Sequence, residues 1–320
     1  MNVSPIIATM IGDPCGIGPE VTIKALAEEV GPARHLLVGD AQVVRDAIAL
    51  TGSRFAVHAI SRFEDARFEP GRLDVLARGT LDPGAVSIGQ LSAACGKAVT
   101  EWWNLCIQLA MDKRVAAIVK APVNSEAIRL GGGASVPKTN TTYLFLITGP
   151  LRVVHLTDHI PLRDVFSHVR KEVILQALRL IHESLQAWGV PAPRIGVAGL
   201  NPHAYGTEEQ FEIGPAIELA RELGIDAYGP VSPDSLFRLC VEGAYDCVVA
   251  HYHDQGHIAV KTWRFDGNCA LLLGEPYLGI SVAHGTAFDI AGKGIADHRS
   301  MTAAIKTVSM LAAGQGFPGE

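Results

Sequence analysis

Apolar residues along the chain fall into two alternating patterns. Short runs such as "HLLVGD" (35–40), "VAAIVKAPV" (115–123), "LRVVHLT" (151–157), "RIGVAGLNP" (194–202) and "YDCVVAHYH" (245–253) are bounded by polar or glycine-rich ends. They predict buried parallel strands. Longer stretches, "PEVTIKALAEEV" (19–30), "LSAACGKAVTEWWNLCIQLAMDK" (91–113), "RKEVILQALRLIHESLQAWG" (170–189) and "GPAIELARELG" (214–224), repeat apolar positions at helical spacing. The opening "MNVSPIIATMIGDP" reads as a first strand. This alternation predicts an α/β protein with helices packed on a largely parallel sheet. There is no internal repeat and no low-complexity tract, and "RLGGGASVPKTNT" (129–141) is the glycine-rich candidate for a hinge.

Composition narrows the function class. A chain of 320 residues can bury a large core and suggests two domains or one large one. Its net charge of −6 argues against a general nucleic-acid binder, which would carry a basic face. No apolar run approaches the roughly 18 residues of a membrane span. No basic segment precedes the first strand, so a secretory signal is not expected and a cytoplasmic location is. The cysteines (Cys15, Cys95, Cys106, Cys240, Cys247, Cys269) form no CxxC pair, which suits free thiols in a reducing compartment.

Titratable chemistry concentrates in three stretches. "AHYHDQGHIAVK" (250–261) follows an apolar strand and holds His251, His253, His257, Asp254 and Lys261. Imidazole is the commonest metal ligand, and a neighbouring carboxylate fixes its tautomer. "IGDPCGIGPEVTIKAL" (11–26) places Gly12, Asp13, Gly16 and Gly18 between a strand and a helix. Pro19 suits the first helical turn and Glu20 complements the helix dipole. It is not a GxGxxG dinucleotide fingerprint, because Val21 stands where the third glycine would be. "SVAHGTAFDIAGKGIAD" (281–297) combines His284, Gly285, Thr286, Ala287, Asp289 and Asp297 among small residues. Glycines allow backbone to approach a ligand, and acids accept bonds from ribose hydroxyls.

Taken together, these stretches resemble the 4-hydroxythreonine-4-phosphate dehydrogenase family within the isocitrate and isopropylmalate dehydrogenase-like group. "GDPxGIGPE", "NPHA", "GPxxxDxLF", "YHDQGxxxxK" and "HGTAxDxAGxGxAD" occur in family order over residues 8 to 300. The resemblance implies two α/β domains with the active site in the cleft between them. The nucleotide-side domain would be 1–124 plus about 284–320, and the metal, substrate and dimerisation domain about 125–283. It also implies a homodimer with shared active sites, NAD as cofactor, and one divalent metal held by His159, His203 and His253. Zinc or cobalt is favoured for such a ligand set, with magnesium or manganese the other candidates. Gly12, Asp13, Gly16, Gly18, His284, Gly285, Thr286, Ala287, Asp289 and Asp297 would contact the cofactor. Lys261, Asp254 and Asp234 would be catalytic; Asn140, Thr141, Asp234 and Lys261 would touch substrate. His251 and His257 carry no family role and read as supporting or solvent-facing. The remaining histidines (His35, His58, His155, His168, His182, His298) read as surface or core residues.

Such a site oxidises a hydroxyl by proton removal and hydride transfer to the nicotinamide, and a hydroxyl β to a carboxylate yields a β-keto acid that loses CO2. Departures from the family shape the substrate expectation. The family's "GHTEFLA" aligns with "TNTTYLFL", leaving Asn140 for histidine and Thr142 for the acid, with Thr141 kept. Ala270 and Gly279 stand at the places of a phosphate-holding asparagine and arginine, and Ser125 replaces a lysine. A pocket stripped of these donors would hold phosphate poorly, and Tyr143, Trp263 and Phe265 lie in the variable stretches. The expectation is therefore a branch acting on a carboxylated cis-dihydrodiol of the terephthalate type. The phosphorylated hydroxythreonine or threonate substrate is the alternative, and a metal-dependent lyase, a hydrolase or a non-enzymatic metal-binding protein a more remote one.

Overall fold

A computed structural model describes residues 4–77, 81–133, 142–264 and 266–319. In chain order the elements are β1 (Ile6–Met10), α1 (Gly18–Leu26), β2 (Arg34–Val38), α2 (Ala41–Thr51), β3 (Ala56–Ile60), β4 (Arg72–Leu76), α3 (Ala93–Met111), β5 (Ala117–Lys120) and α4 (Ser125–Leu130). Then come β6 (Tyr143–Thr148), β7 (Leu151–His155), α5 (Leu162–His168), α6 (Lys171–Ala187), β8 (Ile195–Ala198), α7 (Gly214–Glu222), β9 (Ala227–Val231) and α8 (Pro233–Val241). The last are β10 (Cys247–Ala250), α9 (His253–Trp263), β11 (Cys269–Leu273), β12 (Leu278–Val282) and α10 (Arg299–Ala312). They form two compact units: Met1–Lys138 with Pro276–Ala313, and Thr139–Glu275 with Gly314–Glu320.

The first unit carries a parallel sheet in the order β3-β4-β2-β1-β5-β12. Its central strands lie in the interior, with Ile7, Ala8, Met10, Ala117, Ile118 and Val119 fully buried, as their unbroken apolar runs require. Helix α2 begins where Asp40 accepts from the backbone of Gln42 and Val43, and ends at Gly52 in the left-handed region at φ 66°.

The second unit orders its strands β11-β6-β7-β10-β8-β9. β7, β10, β8 and β9 are parallel, whereas β11 with β6 and β6 with β7 run antiparallel. Its core gathers Leu146, Leu151, Val153, Ala198, Leu236 and Val260. Helix α6 turns Ile174, Ala177, Leu178, Ile181 and Leu185 inward, the stripe its spacing predicts. The C-terminal tail belongs here because Gly316 donates to Trp188 O at 2.7 Å and the Phe317 ring meets Phe145 edge-on at 6.1 Å.

The α/β expectation holds in both units, with the segments predicted as strands and helices trimmed at their ends. Two features depart from it. The stretch "YLFLIT", expected as part of a substrate segment, is strand β6 and forms a hairpin with β7 across Gly149 and Pro150. The strand predicted over 245–253 ends at Ala250, and the histidine-rich run continues as helix α9 from His253. Among the described residues no helix is long and apolar enough to cross a membrane.

Candidate metal centre and cofactor segments

In the second unit, strand β10 delivers its histidines into two different environments. His251 is fully buried, its Nε2 lies 2.6 Å from Ala198 O, and its backbone N–H donates to Gln255 Oε1 at 2.7 Å. Burial pushes its pKa down to about 4. His251 is thus a neutral joint between β10 and β8, and the solvent-facing reading of it is corrected. His253, His257 and Lys261 follow at intervals of four along α9 and so share one face. The His253 and His257 rings stack with centroids 3.6 Å apart. His257 is lowered to about 4, first by burial and then by repulsion from His253.

His159, in the loop after β7, brings its ring to 5.0 Å from His253. One donor atom each from Asp158, His159 and His253 lies within 4.8 Å of the others, a set that could hold a metal ion. Each imidazole has a carboxylate beside it. Asp254 Oδ1 lies 2.7 Å from His253 Nδ1, and Asp158 Oδ1 lies 2.9 Å from His159 Nδ1. The His253 contact holds the Asp254 carboxyl below its usual range. Against the same cluster sits buried His155, with its ring centroid 4.8 Å from that of His257. A Cβ added at Gly256 would come 2.2 Å from His155 Nε2, so only glycine fits there. Sequence reasoning missed Asp158 and His155. The signal for the first was the dipeptide Asp158-His159 itself.

His203 is placed differently. It lies on a short turn, Pro202–Ala204, in the left-handed region at φ 59°, and is not in the Asp158, His159 and His253 group. The turn is pinned by buried Glu209, whose carboxylate accepts from Leu200 N, Asn201 N and Asn201 Nδ2 at 2.7–2.8 Å. Asp234, in the first turn of α8, is held below the usual carboxyl range by the Ser232 and Ser235 hydroxyls, with His203 adding to the effect. Lys261 is exposed. Asn140 and Thr141 lie outside the described residues.

In the first unit the β1–α1 turn is packed rather than open. A Cβ at Gly12, itself at φ 83°, would lie 2.5 Å from Pro122 O; one at Gly18 would lie 2.8 Å from Ile11 O, and one at Gly16 2.7 Å from the Thr286 side chain. All three glycines are demanded by the protein's own packing. Asp13 is buried, accepts from Cys15 N at 2.9 Å, and has its carboxyl raised by burial. The closing segment is tied to this turn by Ile17 N donating to Thr286 O at 3.0 Å. Thr286 is buried, Ala287 adopts φ 42°, and His284, Gly285 and Asp289 are exposed. Asp297 is gripped by the Arg299 guanidinium, which holds its carboxyl at about 2. Glu20 does more than meet a helix dipole: Oε1 accepts from Ala296 N at 2.8 Å and from Lys24 Nζ at 2.7 Å. Lys24 also donates to Gly294 O and Ala296 O. A cavity of ≈ 390 Å³ opens beside this clamp, with Pro14, Gly16, Glu20, Asp40, Leu50 and Gly292 on its walls.

Comparison with known proteins identifies the lineage. The model of the pyridoxal phosphate biosynthetic protein PdxA family matches residues 32–308. A Novosphingobium aromaticivorans protein named as a 4-hydroxythreonine-4-phosphate dehydrogenase is 45% identical, over 99% of this chain and 97% of its own. The D-threonate 4-phosphate dehydrogenase of Cupriavidus necator is 39% identical, over 96% and 97%. The crystal structure of the Klebsiella pneumoniae 4-hydroxythreonine-4-phosphate dehydrogenase is 37% identical with a TM-score of 0.83, covering 97% of this chain and 100% of that one. These relatives are all dehydrogenases, as expected of an oxidoreductase acting on CH–OH.

The dihydrodiol expectation is overturned. The terephthalate 1,2-cis-dihydrodiol dehydrogenase of Burkholderia xenovorans is less similar, at 30% identity and a TM-score of 0.71 over 96% and 98% of the chains. The structure shows why the inferred loss of phosphate donors misled. Ala270 packs against the core of the second unit. Gly279 is paired with Ile118 inside the parallel sheet, where a Cβ would already crowd Tyr277 at 3.1 Å. Both are partly buried strand positions whose packing accounts for the lack of a polar side chain. The chain belongs to the PdxA family of pyridoxal phosphate biosynthetic proteins.

Proposed function

We propose that this chain is an NAD- and divalent-metal-dependent dehydrogenase that oxidises the hydroxyl β to the carboxylate of a 4-phosphorylated hydroxy acid. The substrate class is that of 4-hydroxythreonine 4-phosphate and D-threonate 4-phosphate, for which the relatives are named. The observation that carries the reading is the convergence of Asp158, His159 and His253. Nitrogen and carboxylate donors suit a borderline divalent ion such as zinc, cobalt or manganese. When bound, such an ion polarises the substrate oxygen.

The chain's own residues supply the rest. Asp254 fixes the tautomer of His253 by holding Nδ1, and Asp158, His159 and His253 would hold the ion. Because Asp254 is engaged with His253, the group assigned to take the hydroxyl proton is Lys261 Nζ, in its neutral amine form, on the same face of α9. NAD, when bound, would supply the hydride acceptor, and a β-keto acid formed in this way would lose CO2. Of the closing segment, the exposed His284, Gly285 and Asp289 would meet the cofactor, while Asp13 and Thr286 support the turn from within. A second copy of the chain would complete the site by contributing His203. Leu162, Phe166, Tyr205, Phe211, Ile258 and Trp263 are large exposed apolar side chains of the second unit, which supports pairing of copies.

Chelator-stripped protein tests the metal requirement. His253→Ala and His159→Ala should each lower affinity for a divalent ion by roughly tenfold or more, since each removes a ligand. Calorimetric titration with zinc or manganese that gave wild-type affinity in both variants would refute the assignment.

A further inference from the structure

We propose that Cys15 and Cys95 form a site of reversible disulfide formation, joining the β1–α1 turn to the first turn of α3. The two thiols come from positions 80 residues apart, and their sulfurs lie 3.6 Å from one another in a fully buried contact. A disulfide requires about 2.05 Å, so closure moves the sulfurs together by only about 1.5 Å.

The surroundings define the geometry. Cys15 O accepts from Gly89 N at 2.8 Å and Cys15 N donates to Asp13 Oδ1 at 2.9 Å, which fixes the backbone of the turn. Cys95 lies in the first turn of α3, its N–H donating to the N-capping Ser92 Oγ at 3.2 Å. The Cys15 thiol donates to the Cys95 sulfur, and this bond, aided by Ser92, holds Cys95 below the usual thiol range. Cys106, buried without such a partner, is pushed the other way. The pair therefore has an attacking sulfur and a resolving one. A cavity lined by Pro14 and Gly16, the chain neighbours of Cys15, and by Val86 and Ile88 is large enough for a small peroxide.

The oxidant is hydrogen peroxide. The Cys95 thiolate attacks one peroxide oxygen, the O–O bond breaks, and hydroxide leaves to give the sulfenic acid. The Cys15 sulfur then attacks the Cys95 sulfur and gives up its proton. Water leaves as the S–S bond forms. Two sulfurs lose two electrons in all, and the peroxide becomes hydroxide and water.

The experiment treats the reduced full chain with peroxide, blocks residual thiols in denaturant and maps peptides without reductant. Free thiols should fall from six to four, with the Cys15 and Cys95 peptides linked and the link reversed by dithiothreitol. Cys95→Ser should keep its five thiols reduced under the same dose. The wild-type map stands alone should that variant fail to fold. No Cys15–Cys95 link, or oxidation that falls first on Cys106, Cys240, Cys247 or Cys269, would overturn the proposal. Asp13, Cys15 and Cys95 also form a three-donor group. Zinc that stays bound to the reduced chain and shields both thiols from alkylation would overturn it in favour of a metal site.

Discussion

At Glu20 one carboxylate, 2% exposed, organises the meeting of helix α1 and residues 294–296. Replacing it with alanine leaves the buried Ala296 N–H without its acceptor and Lys24 without its counter-charge, held by the Gly294 and Ala296 carbonyls alone. That should destabilise the first unit by about 2–4 kcal/mol. Glu20→Gln keeps an oxygen for Ala296 and should cost less. Urea unfolding measures both, and equal effects of the two variants would contradict the role given to the hydrogen bond from Ala296 N. Two histidines with buried rings contribute to the pH response. Burial lowers both His35 and His251 to about 4, below the unfolded value. Between pH 6.5 and 4 the unfolded chain therefore binds more protons than the folded one, so stability is full at neutral pH and falls as pH drops. From pH 7 to 5 the loss should be about 1–2 kcal/mol per histidine. The His251→Gln variant should show a shallower slope in the second unit. At this scale the sequence displayed the chemistry but not its surroundings: nothing in "AHYHDQGH" separates a sealed His251 from a half-exposed His253 two residues later.

Helix α9 organises the candidate centre, and its glycine is the sharpest probe of it. Gly256→Ala in an exposed helix would add stability of about 1 kcal/mol. Here the new methyl would meet His155 Nε2 at 2.2 Å, so the sign should reverse, with a loss of about 1–3 kcal/mol and disturbed stacking of His257 on its neighbours. A stabilised Gly256→Ala would show that α9 is not packed on β7 as described. The elements with long periodic patterns, α3 and α6 above all, were legible in the sequence because burial on one face writes itself into spacing. Helix α9 was not, because it has few apolar residues and its titratable side chains mask the helical repeat. The β6–β7 hairpin is signalled by the turn residues of "ITGPLR", but the polar residues just before it draw attention to substrate contacts instead of strand pairing.

For the whole molecule, His159 and His253 approach one another within one chain, whereas His203 stands with Asp234. If a second copy supplies His203, a His203→Ala chain mixed with a His253→Ala chain should recover up to about a quarter of wild-type activity in hybrid dimers. A mixture of His159→Ala and His253→Ala should recover none, because both lesions fall in the same chain's half of the site. Recovery in the second mixture alone would reverse the assignment of halves. The order of motifs made the family legible from the sequence. The substrate branch was not, because Ala270 and Gly279 read as pocket positions until the strands showed Ala270 packed against the core and Gly279 paired with Ile118 in the sheet.

The central claim is oxidation of a phosphorylated hydroxy acid at a metal site. Its most direct test is NADH formation by chelator-stripped chain, with and without restored divalent ion, given 4-hydroxythreonine 4-phosphate, D-threonate 4-phosphate or the terephthalate dihydrodiol. The expected result is turnover of at least one phosphorylated substrate only when the ion is present, and kcat/KM for the dihydrodiol lower by at least about a hundredfold, or roughly 2.7 kcal/mol. Dihydrodiol turnover exceeding that of both phosphorylated acids, or turnover indifferent to the ion, would contradict it.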